Sequence, residues 1–256
     1  MSPASSSPAA DRSAPLHGFR VVTTRDEPGR LDELLIARGA TVVHVPLIEI
    51  TAPPDGGAAL DRALRRLPEA TWLVVTSQHG AEAVGRAAGK YDVRLASVGT
   101  RTAEVLARSA GRPVDLVPEQ HTAADLVAAF PPPGNPGELV IVAVGDLAAP
   151  TLADGLCELG YDVVSAVAYR TRRRLPSATE RALALAADAV VFASGSSAQA
   201  WVDAIGLESP LAVAIGPTTA AVATAAGLQV AAVAADHSLE GVVSAVSELL
   251  GRRPSR

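Results

Sequence analysis

The sequence predicts an α/β protein in which helices cover parallel sheets, organised as two related domains. Three observations predict it. Short β-branched runs alternate with Ala/Leu/Arg stretches of helical spacing. The strand runs are close to continuously apolar, the pattern of parallel strands buried on both faces. The same order of elements and turns also occurs twice within 256 residues, the mark of a duplicated unit.

The elements follow in chain order. Residues 1–16, rich in Ser, Pro and Ala, read as a disordered tail, because they bury too little surface to offset the entropy of ordering. Val21-Val22-Thr23-Thr24 mark a strand over 20–25, followed by helix 28–38 with its leucines at helical spacing. The run from Thr41 to Ile50 reads as one strand over 41–50, and helix 57–67 follows Gly56-Gly57. Strand 72–77 leads to helix 79–88, strand 94–99 to helix 101–110 and strand 113–117 to helix 122–129, with Gly, Pro or Ser at the boundaries. Strands 138–144, 162–170, 189–194, 211–215 and 229–234 alternate in the same way with helices 149–159, 177–187, 196–205, 217–226 and 238–250.

Composition excludes several functions. With 48% hydrophobic residues the chain can build a sizeable core. Lys+Arg number 22 and Asp+Glu 27, a net charge of −5 that argues against a surface built to grip nucleic acid. The aromatics are scattered from Phe19 to Trp201, not clustered as base stacking requires. Lys90 is the only lysine and sits in no Gly-rich run, so neither a Lys-Ser/Thr phosphate loop nor lysine Schiff-base chemistry is expected. The lone Cys157 excludes a disulfide framework and a multi-cysteine metal site. His44, His121 and His237 lack metal-ligand spacing, and His121 and His237 precede Thr and Ser caps. No apolar run reaches the roughly 18–20 residues of a membrane helix, and no apolar signal core opens the chain. A soluble, cytoplasmic protein is the expectation.

The repeat locates the functional turns. Thr76-Ser77-Gln78-His79-Gly80-Ala81 matches Ala193-Ser194-Gly195-Ser196-Ser197-Ala198, and Val98-Gly99-Thr100-Arg101-Thr102 matches Ile215-Gly216-Pro217-Thr218-Thr219 at the same offset. The offset slips by one residue at His121-Thr122 against His237-Ser238. All four turns fall where a strand hands over to a helix, the carboxyl end of a parallel sheet, where ligands bind. Helix N-termini there present backbone N–H groups to carboxylates and phosphates. Each turn is equally an ordinary N-cap. Four of them, paired by the repeat, predict an anion-lined cleft between the two domains.

These residues resemble the uroporphyrinogen-III synthase family. The resemblance rests on Val22-Thr23-Thr24-Arg25, Val45-Pro46-Leu47-Ile48-Glu49-Ile50, the four turns above and Ala168-Tyr169-Arg170-Thr171. It implies two doubly wound, flavodoxin-like domains joined by a two-stranded antiparallel linker. One domain would be discontinuous, 17–46 with 172–251, and the inserted one 52–165; the linker strands would be 46–51 and 166–171. The implied reaction closes linear hydroxymethylbilane to uroporphyrinogen III with inversion of ring D and loss of water, a hydro-lyase step in heme biosynthesis. It needs no cofactor and no metal, because a pyrrole stabilises its own cation. The implied protein is a monomer whose partner is its tetrapyrrole substrate, with neither nucleic acid nor membrane involved.

By the same resemblance Tyr169, on the second linker strand, is the catalytic candidate. Its phenol, neutral at pH 7, can donate a hydrogen bond to the departing hydroxyl. The substrate-binding candidates are Arg25, Ser77, Gln78, His79, Gly80, Gly99, Arg101, Thr102, Ser194, Gly195, Ser196, Ser197, Gly216, Thr218 and Thr219. Asp26 and Asp146 follow strands and could meet a pyrrole N–H. The basic run Arg170, Arg172, Arg173, Arg174 reads as solvated surface or as carboxylate-binding. Relatives often carry arginines where this chain has Gly145-Asp146-Leu147-Ala148-Ala149. Two other readings stay open: a non-catalytic ligand-sensing module from a regulator, and a binder of another anionic metabolite. The few residues after Leu250, too short for a DNA-binding domain, weigh against the regulator.

Overall fold

Twenty strands and helices follow one another along the chain in a computed structural model that describes residues 14–252. In chain order they open with β1 (Arg20–Thr23), α1 (Arg30–Ala37), β2 (Thr41–His44), β3 (Ile48–Thr51), α2 (Ala58–Leu64), β4 (Ala70–Val75) and α3 (Gln78–Ala88). Then come β5 (Arg94–Ser97), α4 (Thr100–Ala110), α5 (Ala123–Ala129), β6 (Leu139–Gly145), α6 (Thr151–Glu158) and β7 (Asp162–Arg173). The last are α7 (Ala178–Leu185), β8 (Ala189–Phe192), α8 (Gly195–Ala204), β9 (Leu211–Ala214), α9 (Pro217–Ala225), β10 (Val230–Val233) and α10 (Leu239–Gly251).

Two compact units result. One joins the chain up to Glu49 to the chain from Arg173 onward, and the other is Ile50–Arg172. The first holds a sheet of order β10-β9-β8-β1-β2, the second a sheet of order β3-β7-β6-β4-β5. Parallel pairing joins β1 to β2 and β8, β9 to β8 and β10, β4 to β5 and β6, and β6 to β7. Both are doubly wound orders. The strand order turns back between β1 and β8 in the first unit and between β4 and β6 in the second, and such reversals open a crevice at the carboxyl ends.

Period-two alternation builds two core layers per sheet. In the second unit Leu73, Val75, Ile141 and Ala143 pack under α2, α3 and α4, while Trp72, Val74, Val140 and Val142 pack under α5 and α6. In the first, Val21 and Val213 face α1 and α10, and Val22, Val190, Phe192 and Ala212 face α8 and α9 around Trp201. Fully burying one such Val or Phe contributes about 1.5–3 kcal/mol.

Three expectations need correction. The tail predicted over 1–16 lies outside the described residues for 1–13, but Leu16 is fully buried in the first unit's core and its N–H donates to Arg38 O. The strand predicted over 41–50 is two strands, because Pro46 has no N–H to give a ladder. The strand predicted over 113–117 is a single bridge between Ala96 and Leu116. Pro113 and Pro118 bracket it, and the Asp115 carboxylate takes the Leu95 N–H at 2.7 Å. Its counterpart in the first unit, β10, is a full strand.

Candidate functional site

The predicted turns all lie at the carboxyl ends of strands. Ser77 and Ser194 sit just past β4 and β8, cap α3 and α8, and accept hydrogen bonds from Gly80 N and Ser197 N at 3.1 and 3.2 Å. Each cap satisfies one orphan N–H of its helix and leaves the others of the first turn for a ligand. Ser194 is tied further: its Oγ lies 2.9 Å from Ser196 Oγ, and Ser197 Oγ donates to Ser194 O at 2.7 Å. Gly195 belongs to packing, since a Cβ there would stand 2.9 Å from Val222 of α9.

Gly99 and Gly216 cap α4 and α9 without a side chain. Three residues on, Thr102 and Thr219 are 8% and 6% exposed, and neither hydroxyl forms a hydrogen bond among the described residues. A hydroxyl with no protein partner on an otherwise buried residue is a donor available to a ligand. Thr218 and Arg101 are exposed on the second helical residue. His121 and His237 are the described non-glycine residues with positive φ, both +55°. A Cβ on Gly216 would meet His237 Cδ2 at 3.1 Å, and one on Gly99 would meet His121 Cβ at 3.7 Å. The two histidines, equivalent in the repeat, thus back the glycine caps.

Tyr169 stands near the carboxyl end of the second sheet, half-buried on β7. His79, in the first turn of α3, lies edge-on to its ring with centroids 5.3 Å apart, and His79 Nδ1 is 3.7 Å from Glu82 Oε2. Gly145, the last residue of β6, pairs with Tyr169 across a register shift. A Cβ on Gly145 would sit 2.7 Å from the Tyr169 Cζ and Oη, so the ring lies against a bare backbone. The structure therefore brings Ser77, Gln78, His79 and Gly80 together with Tyr169 through β4, β6 and β7. Gly80 is buried at this junction, where a Cβ would come 3.4 Å from Ala143 O.

Arg25 is exposed in the loop after β1. Beneath that loop lies a buried group the sequence did not reveal. Asp32 Oδ1 accepts from Thr23 Oγ1 at 2.6 Å, Asp32 Oδ2 accepts from Gly29 N at 2.8 Å, and His44 Nδ1 is 3.3 Å from Thr23 Oγ1. The signal was available: an acidic residue three positions after a glycine cap is the shape of a capping box. Three of the four arginines at 170–174 are committed to protein carboxylates. Arg170 pairs with Asp146 at 3.5 Å, Arg173 with Asp203, and Arg174 with Glu180 at 2.8 Å. The Arg174 guanidinium, with the Ser177 backbone and hydroxyl, holds the Glu180 carboxyl down to about 2.

An open hollow of about 770 Å³ lies at the amino ends of β8, β9 and β10, bordered by Leu185, Asp188, Leu207, Pro210 and Gln229. Its lining has no basic side chain and includes the carboxylate of Asp188, so no cation faces a polycarboxylate there. Among the described residues no cluster of His, Cys, Asp and Glu is arranged to hold a metal, and no helix is long and apolar enough to cross a membrane.

A family model described as uroporphyrinogen-III synthase HemD matches residues 29–244. Over 167 residues the chain is 33% identical to the uroporphyrinogen-III synthase of Synechococcus elongatus, a stretch covering 62% of this chain and 62% of that protein. Its fold is similar to that of uroporphyrinogen-III synthetase from Helicobacter pylori, with a TM-score of 0.64 at 18% identity over 90% of this chain and 99% of that one. A mutant uroporphyrinogen III synthase from the extremely thermophilic bacterium Thermus thermophilus gives 0.56 at 18% identity over 92% and 100%. At such identity these two likenesses concern the fold.

Proposed function

The chain belongs to the uroporphyrinogen-III synthase family, and from that premise we propose that it closes hydroxymethylbilane to uroporphyrinogen III with loss of water. The observation that carries the reading is the pair of uncommitted hydroxyls on Thr102 and Thr219, two largely buried residues at matching helix N-termini of the two units. A substrate studded with acetates and propionates needs many donors, and such first turns supply N–H and O–H groups together. Ser77 to Gly80, Gly99, Arg101, Ser194 to Ser197, Gly216, Thr218 and Arg25 act with them.

The Tyr169 hydroxyl donates to the terminal hydroxyl of the bilane as its C–O bond breaks, and water leaves. The electron pair of the pyrrole nitrogen makes the exposed methylene an electrophilic azafulvene. The substituted carbon of ring D attacks it, forming a spiro intermediate. That bond pattern reopens and recloses at the other carbon with the ring inverted, and loss of a proton restores aromaticity. Without protein the same substrate closes uninverted, so the work of the enzyme is to hold one geometry. The reaction runs in the cytoplasm on a monomeric protein.

The test feeds hydroxymethylbilane to the protein, oxidises the products and separates isomers I and III. Isomer III is expected; isomer I alone at the spontaneous rate overturns the reading and favours a ligand-sensing module. Tyr169→Phe is expected to lower turnover about tenfold or more. Unchanged turnover in that folded variant removes the phenol from the mechanism.

A further inference from the structure

We propose that Asp146 is a positioning residue that sets the Tyr169 phenol for the reaction. The inference rests on the reading of Tyr169 as proton donor and adds what holds it in place. Along β6 and β7 the partners advance together from Leu139 with Asp162 to Val144 with Val167. One residue later Gly145 pairs with Tyr169, not with Ala168. The extra residue on β7 is a bulge, a device that re-aims a side chain at the cost of local pairing. The bulge is fastened by Asp146, which holds the tyrosine and the two residues that follow it.

Its backbone N–H donates to Tyr169 O at 3.1 Å. Its Oδ1 accepts from Thr171 N at 2.9 Å, and its Oδ2 lies 3.5 Å from Arg170 Nε. A single residue thus grips three consecutive residues of β7, 169 to 171. The turn that carries it is itself closed by Ala148 N donating to Gly145 O at 3.1 Å. The Asp146 side chain is only 21% exposed, so these bonds are sheltered from competing water. Gly145 lies beneath the ring and His79 at its edge, and Asp146 adds a third restraint on where the phenol stands. This explains an acidic residue in a turn near a site otherwise made of anion donors. The carboxylate is consumed by Arg170 and the Thr171 amide and does not face a substrate carboxylate as a free charge.

The experiment is a double-mutant cycle on the full chain, with kcat, KM and the III-to-I isomer ratio measured on hydroxymethylbilane and folding checked by circular dichroism. Asp146→Ala is expected to lower kcat about tenfold, with KM moving less than about threefold. Asp146→Asn, whose amide oxygen still accepts from Thr171 N, is expected to recover most of the loss. In the Tyr169→Phe background Asp146→Ala is expected to add nothing, because both changes act through one phenol. If Asp146→Ala does not fold, Asp146→Ser, too short to reach both partners, takes its place in the cycle. Equal losses in the two backgrounds, a loss in KM alone, or a kcat near that of the unaltered protein each overturn the proposal while leaving Tyr169 as donor. An unchanged Tyr169→Phe overturns both at once and is recognised by that single variant.

Discussion

Replacing Gly145 by Ala tests the seat of Tyr169 with one added methyl. The Cβ would stand 2.7 Å from both Cζ and Oη of the tyrosine, and 3.0 Å from Cε2. Carbon atoms pack at about 3.5–4.0 Å, so the ring must retreat by roughly 1 Å or the strand must shift. Gly145 is buried at the end of β6 beside β7, with Tyr169 itself packed on the core of the second unit. Relief by moving backbone is therefore costly, and overpacking of this kind typically destabilises by about 1–3 kcal/mol. The phenol, displaced by about 1 Å, is expected to lose between tenfold and a hundredfold in turnover. Thermal unfolding followed by circular dichroism, with kcat on hydroxymethylbilane, reads both effects. Gly251→Ala serves as the control, since nothing lies within 4 Å of its Cβ position at the end of α10. A Gly145→Ala protein with unaltered melting and unaltered turnover would refute the reasoning, because the ring would then have found room the structure does not show.

Thr102→Val and Thr219→Val are each expected to raise KM for hydroxymethylbilane several-fold while leaving the melting temperature nearly unchanged, because neither hydroxyl bonds to the protein; steady-state kinetics beside thermal melts would reveal the split. Asp32→Ala strands the Gly29 N–H and leaves the Thr23 hydroxyl only His44 Nδ1 at 3.3 Å, and chemical denaturation is expected to show a loss of about 1–3 kcal/mol. The Glu180 carboxyl is held at about 2 against a usual value of 4.5. Its contribution to stability is thus complete above about pH 4.5 and disappears as pH falls toward 2. Glu180→Gln is expected to flatten that part of the stability-versus-pH curve, and an unchanged acid limb in melts from pH 2 to 6 would exclude the residue.

Sequence alone determined the α/β class, the order of the helices, the duplication and the four capping turns. The reason is that these depend on local signals. Val-rich, nearly continuous apolar runs, Ser or Gly before an Ala-rich helix, and Pro217 at a first helical residue announce themselves within a few positions. The pairing of Thr102 with Thr219 was legible because a repeat carries spatial equivalence in the numbering itself. What tertiary structure decided depends on partners far apart in the chain. Asp115 takes the ladder donor of Leu95, twenty residues earlier, and reduces a strand to one bridge. Leu16, in a stretch that reads as tail, is drawn under α1 because the first unit's core has room for it. The pairing of Arg170 with Asp146, and the meeting of Gly145, Asp146 and His79 around Tyr169, arise only when β4, β6 and β7 lie side by side. A one-residue shift of register between two strands has no signature in either strand, yet it places the tyrosine.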